Sequence, residues 1–239
     1  NNADLWFGTD AGVIKYEPAN QLWPRYNTNN GIGNNFIYKV FKSQDGTIWA
    51  ATNGGGVSKF NNNNTWTTYK QSNGLAGNIV RDITQDNSGN LWFATYGNGV
   101  SKFNGNNTWT TYTYADGLAG NLVYSAFKDN TNNLWFGTAF GVSKFNGSSW
   151  TTYSVTDGLP SNTITSVSQD NNGNIWVGTN AGAGRFNGTV WQTFTTSDGL
   201  SDNMIYSITK DLMGKMWFAT KNGASGFDGS AWSIYDTTN

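Results

Sequence analysis

Short apolar runs rich in β-branched and aromatic residues recur along the whole chain, and glycine and asparagine break them at close intervals. Residues 158 to 198 show the pattern: TITSVS, NIWVGT, GAGRF and VWQTFT are separated by NNG, NAG and NG. Short runs rich in β-branched and aromatic residues predict strands, and the Asn-Gly clusters supply the positive φ of tight hairpins. Four such runs in sequence predict a four-stranded antiparallel meander. No segment carries a 3.6-residue apolar period over the ten or more residues a helix needs, so the predicted class is all-β.

The meander repeats. One tryptophan of the phrase falls at Trp6, Trp49, Trp92, Trp135, Trp176 and Trp217, every 41 to 43 residues, and a second follows at Trp23, Trp66, Trp109, Trp150, Trp191 and Trp232. Together they account for all 12 Trp. A four-stranded unit with two apolar faces cannot bury them alone, and a radial array of such units is a propeller. The expected architecture is one domain over residues 1–239, a six-bladed β-propeller with repeats of approximately 1–30, 31–73, 74–116, 117–157, 158–198 and 199–239. The innermost strand of a repeat is expected at 36–42, 79–85, 122–128, 163–169 and 204–210. The first repeat opens on its second strand, so its blade should have three strands and expose an inner edge. Either the chain is part of something longer or a partner strand docks there.

The strand phrase, seen at Leu5 to Thr9, Ile48 to Thr52, Leu91 to Thr95, Leu134 to Thr138, Ile175 to Thr179 and Met216 to Thr220, resembles the two-component regulator propeller repeat. The resemblance implies an exported bacterial propeller, periplasmic or extracellular, of the kind found in glycan-responsive sensor regions of hybrid histidine kinases. Those sensors hold further blades, a β-sandwich, a membrane span and a kinase. A second resemblance, to streptogramin lyase propellers, implies catalysis through a histidine and a magnesium site, and the chain contains no His.

Charge and composition narrow the chemistry. A net charge of −1 offers no field for nucleic acid. With neither Cys nor His, no cofactor is expected, and a bound cation would be hard and oxygen-ligated, such as calcium. No apolar run is long enough for this chain to insert in a membrane as a helix. A glycosidase would need two carboxyls flanking the scissile bond. The non-repeated acids expected near the axial end are Asp10, Asp82 and Asp202, of which Asp82 follows Arg81 and can pair with a neighbour.

Positions that recur in every blade belong to folding. Asp45, Asp86, Asp129, Asp170 and Asp211 precede the first hairpin turn, where a carboxylate can accept backbone N–H bonds. The DNSGN segment at 86–90 is expected to be such a turn and not a calcium loop. Lys15, Lys59, Lys102, Lys144 and Arg185 recur in the third strand, where a long stem can cover an aromatic ring.

Function is sought where the blades differ. Early in the inner strand stand Tyr38, Arg81, Tyr124, Thr165 and Tyr206, and the loops between second and third strands carry Asp10, Asn53, Tyr96, Phe140, Asn180 and Lys221. Tyr38, Arg81, Tyr96, Tyr124, Phe140, Tyr206 and Lys221 are therefore the candidate ligand-binding residues, expected to line an axial pocket suited to an oligosaccharide. The same aromatics equally fit a plug in the channel. The expected function is non-enzymatic ligand binding or sensing, and the alternative is a protein-interaction scaffold. The shared wording of blades two and three, NNTWTTY and GLAGN, favours the scaffold or a weakly specific binder.

Overall fold

Residues 4–237 are described by a computed structural model, and all their regular structure beyond short 3-10 turns is β. The first sheet has three strands, β1 (Leu5–Thr9), β2 (Gly12–Tyr16) and β3 (Arg25–Tyr26), in the order β1-β2-β3. Five sheets follow, each of four strands in sequence order. The third, for instance, runs Val80–Gln85, Leu91–Thr95, Gly99–Phe103 and Trp109–Tyr112. Six antiparallel blades, the first short of one strand, are thus as the sequence predicts.

The chain divides into two compact units, residues 1–112 with blades one to three and residues 113–239 with blades four to six. In the first unit, Val13, Tyr26, Ile37, Ile48, Phe60 and Trp66 form a core between blades one and two. A second core there joins Trp49 and Val57 to Val80, Phe93 and Phe103 of the next blade. The second unit is built the same way, around Trp135, Ile164, Val177 and Phe186 and around Trp176, Ile205, Phe218 and Phe227.

Blades pack through their recurring residues. A 3-10 turn precedes each inner strand and ends on a glycine at positive φ, as at Gly199 (φ 118). A Cβ on Gly199 would lie 2.6 Å from that of Trp232, so the second tryptophan of the repeat fits only under a bare glycine. Each first tryptophan also carries a cation. Lys15, Lys59, Lys102, Lys144 and Arg185 lie 5.4–6.0 Å from the ring centroids of Trp6, Trp49, Trp92, Trp135 and Trp176 on their own blades.

The recurring aspartates do more than cap turns. Asp86, Asp129, Asp170 and Asp211 accept a bond from the indole Nε1 six residues on, at 2.8–2.9 Å, while also taking backbone N–H donors. In the DNSGN turn Asp86 Oδ1 receives Ser88 N and Asn90 N. Blade two breaks the set. Its equivalent position is Ser43, and Asp45, which the sequence groups with the others, sits two residues later and bonds Ser43 Oγ and Thr47 N. Trp49 Nε1 is consequently buried with no partner. The double substitution Ser43→Asp with Asp45→Ser gives blade two the wording of blade three at these positions. It should raise unfolding free energy by about 1–2 kcal/mol, because it satisfies a buried donor with a charged acceptor. A denaturant melt measures the gain, and no gain would show that Trp49 gets no bond from the new carboxylate.

Candidate functional site

The inner strands share a feature that the sequence pattern does not display. In each of the five complete blades the pairing slips by one residue near the start of the strand, between Ile37 and Lys39, Val80 and Asp82, Val123 and Ser125, Ile164 and Ser166, and Ile205 and Ser207. The residue skipped is Tyr38, Arg81, Tyr124, Thr165 or Tyr206. A β-bulge leaves its extra residue out of the ladder and re-aims the side chain. The candidate positions of the inner strands are thus those the backbone releases from pairing.

In the first unit three of the predicted residues come together. The Arg81 guanidinium carbon lies 4.2 Å from the ring centroid of Tyr38 and 5.9 Å from that of Tyr96, within cation–π reach of both rings. Phe36, exposed, meets Tyr38 edge-on at 5.0 Å. Sequence reading missed Phe36. The available signal was its aromatic ring where the other blades carry Ile79, Leu122, Thr163 and Met204. Beside this group Lys39 Nζ pairs with Asp82 Oδ1 at 3.4 Å, and the same oxygen accepts the N–H of Ile83 at 2.9 Å. Tyr96 is held at the strand start by its N–H bond to Ile79 O. The cluster therefore offers two tyrosine faces, a guanidinium and a neighbouring ion pair, with an excess of one positive charge.

In the second unit the predicted residues fall in two pairs, Tyr124 and Phe140 on blade four and Tyr206 and Lys221 on blade six. Tyr206 is exposed and Tyr124 is half-buried. Thr165 Oγ1 donates to Ile205 O at 2.7 Å, so at that bulge the side chain stitches adjacent inner strands. Phe140 is one position out of register: Ala139 makes the backbone bond, to Leu122 O, that Tyr96 and Lys221 make in their blades. The exposed Phe140 ring instead lies over Gly120, where a Cβ would approach it to 2.6 Å. Lys221 lines a cavity of about 760 Å³ together with Ser201, Asn222, Tyr235 and Asp236. Asp202 is engaged at both oxygens, by Met204 N and by Asn222 Nδ2, each at 2.7 Å. The carboxylates held well below their usual range are in hairpin turns. Backbone donors from Ala231 and Ser230 bring Asp228 to about 2, and the indole of Trp217 with neighbouring N–H groups lowers Asp211. Among the described residues no three of His, Cys, Asp and Glu gather into a metal-sized cluster.

A three-stranded meander followed by five four-stranded ones, with variable side chains on bulges near the start of the five inner strands, defines a β-propeller. Three segments, residues 74–97, 117–140 and 158–181, match the model of the two component regulator propeller family. Among solved structures, an extracellular domain assigned to a hybrid two component system of B. thetaiotaomicron superposes with a TM-score of 0.81 at 20% identity, over 99% of this chain and 35% of that one. Another such domain from the same organism gives 0.67 at 22% identity, over 96% and 38%. A streptogramin B lyase gives 0.76 at 18% identity, over 98% and 77%. At these identities the likeness is one of fold. The chain spans little more than a third of the length of the two component relatives. No curated protein sequence matches the chain significantly.

Proposed function

We propose that the chain is a non-catalytic ligand-binding propeller of the sensing kind, which holds a neutral or acidic oligosaccharide at the bulge end of its blades. The observation that carries this reading is Arg81, seated 4.2 Å from the Tyr38 ring with Tyr96 alongside. A pyranose presents an apolar face that stacks on tyrosine, and its hydroxyls accept hydrogen bonds from a guanidinium. The planar fork of an arginine also suits a uronate carboxylate. Tyr124, Phe140, Tyr206 and Lys221 are the corresponding candidates on the blades of the second unit. Absence of catalysis is supported by the two best-placed acids, since Asp82 pairs with Lys39 and Asp202 is taken up by Met204 and Asn222. An extracellular or periplasmic setting is supported by the extracellular domains among the structural relatives, and no helix among the described residues is long and apolar enough to cross a membrane.

The test is a glycan array of neutral and uronate-bearing oligosaccharides, followed by titration of Arg81→Ala and Tyr96→Ala. Each variant should bind the selected glycan about tenfold or more weakly, with an unchanged melting transition. An array on which nothing binds, or an Arg81→Ala protein with wild-type affinity, refutes the reading.

A further inference from the structure

In the five complete blades the strand carrying the first tryptophan is paired on both sides, and in the first blade its counterpart β1 is the edge of the sheet. The consequence is visible side chain by side chain. Phe93, Phe136 and Phe218 have no exposed surface, whereas Phe7, at the same place in β1, is 44% exposed and Leu5 is 51% exposed. Trp23 shows the same loss. The second tryptophans of the third to sixth blades lie against Gly74, Gly117, Gly158 and Gly199, with ring or Cβ atoms 2.6–3.3 Å from where a glycine Cβ would stand. Trp23 has no such cover and is 55% exposed, resting on Tyr16 at 4.3 Å and on Phe7 at 6.2 Å. In the complete blades a single continuous segment supplies both covers, from the glycine to the end of the inner strand. Blade one therefore presents the uncovered half of an interface that the molecule makes five times.

We infer that the β1 edge and the Trp23 face form a docking site for an extended peptide segment with the pattern Gly-Leu-x-x-Asn-x-Ile/Val-x-x-Ile/Val/Ala. The register is set by the existing blades. In blade six, Ile205 opposes Thr220, Ser207 opposes Ala219, Ile208 opposes Phe218 and Lys210 opposes Met216. The incoming strand accordingly sets its first β-branched residue opposite Thr9 and, after the bulge, its second opposite Phe7. Charge selects the far end. Lys42, Lys128 and Lys210 close their inner strands opposite Ile48, Leu134 and Met216, the counterparts of Leu5. Before Leu5 stands Asp4, its carboxylate 41% exposed and paired with Lys15 Nζ at 2.9 Å, where the other blades carry Thr47, Asn90, Asn133, Asn174 and Lys215. A terminal lysine on the guest would share with Lys15 a carboxylate that the other blades lack at this position. One feature is unlike the others: Ile14 replaces the serine whose hydroxyl in blades three, four and six accepts the N–H of Ala76, Ala119 or Ser201, so the equivalent N–H of the guest finds no hydroxyl acceptor there. Main-chain pairing gives such a site its affinity, and the alternate side chains give it selectivity.

A synthetic peptide with the sequence of residues 198–211 tests the inference on the intact chain. Binding followed by calorimetry should be saturable and raise the melting temperature, and hydrogen exchange should show new protection at the β1 amides. The same peptide carrying Ile205→Lys and Ile208→Lys should bind about tenfold or more weakly. In the protein, Phe7→Lys should abolish binding while circular dichroism stays that of the parent. The peptide comparison requires no change to the protein, so it holds even if Phe7→Lys misfolds. No binding of the parent peptide, equal binding of the lysine peptide, or protection outside β1 overturns the proposal. So does a concentration-dependent dimer that protects β1 and that the peptide fails to dissociate, since the occupant would then be a second copy.

Discussion

Trp92→Ala should lower the free energy of unfolding by about 3–5 kcal/mol, the range of large aromatic truncations in a packed core. Trp92 is 1% exposed and stacks on Tyr112 with ring centroids 5.3 Å apart. Lys102 approaches its face at 5.4 Å, and its Nε1 donates to Asp86 Oδ2 at 2.9 Å. The substitution opens a cavity between strands that cannot collapse independently, and it removes a donor from a carboxylate that also caps a hairpin. Trp23→Ala provides the contrast, because more than half of that side chain is exposed and its loss should cost about 1 kcal/mol or less. Denaturant melts of the two variants make the comparison. A loss below about 1 kcal/mol for Trp92→Ala would mean that the ring is not part of the core.

Asp129→Ala should cost about 2–4 kcal/mol, since a buried carboxylate here serves several donors at once. Asp129 accepts bonds from Trp135 Nε1 at 2.8 Å, Asn133 Nδ2 at 2.9 Å, Asn133 N at 2.8 Å, and Thr131 N and Oγ1 at 3.0 and 2.9 Å. Removing the acceptor strands an indole N–H that is buried. Burial by itself pushes this carboxyl upward, and the donors from Trp135, Asn133 and Thr131 outweigh it, so the group lies below its ordinary value of 3.8. A folded pKa below the unfolded one gives a stabilisation that is present above about pH 3.8 and lost as pH falls through the folded value. The gap between wild type and Asp129→Ala should therefore narrow below pH 4 and stay constant above about pH 5. A gap independent of pH down to 2 would show that the carboxylate charge contributes nothing.

The two residues differ in how far the sequence announces them. Trp92 is legible as core because its spacing from Trp49 and Trp135 repeats, and a repeated apolar residue in a strand has one economical explanation. The role of Asp129 is half legible. Its place before a turn gives the backbone bonds, but the indole six residues on becomes a partner only when the hairpin folds back and brings both to one face. The same blindness groups Asp45 with the other turn aspartates, although the hairpin places Ser43 at the equivalent position and leaves Trp49 Nε1 unpaired. Phe140 was misaligned for a related reason, as counting along a loop does not reveal which N–H, that of Ala139 or of Phe140, closes it.

By itself the sequence determined the number of blades, the strands within each, the missing strand of the first and the residues repeated for packing. β-branched and aromatic runs, turn glycines and tryptophan spacing are local or periodic properties, and they survive without coordinates. Tertiary structure decided what the variable residues do. Whether Tyr38 or Arg81 leaves the ladder is settled by the slip in pairing between two strands, and register belongs to the pair and to neither strand alone. The stacking of Arg81 on Tyr38 joins blades two and three, and the exposure of Trp23 follows from a cover that every other blade possesses. Such relations arise from contacts between segments distant in the chain, and hydrophobic patterning along a single strand carries no record of them.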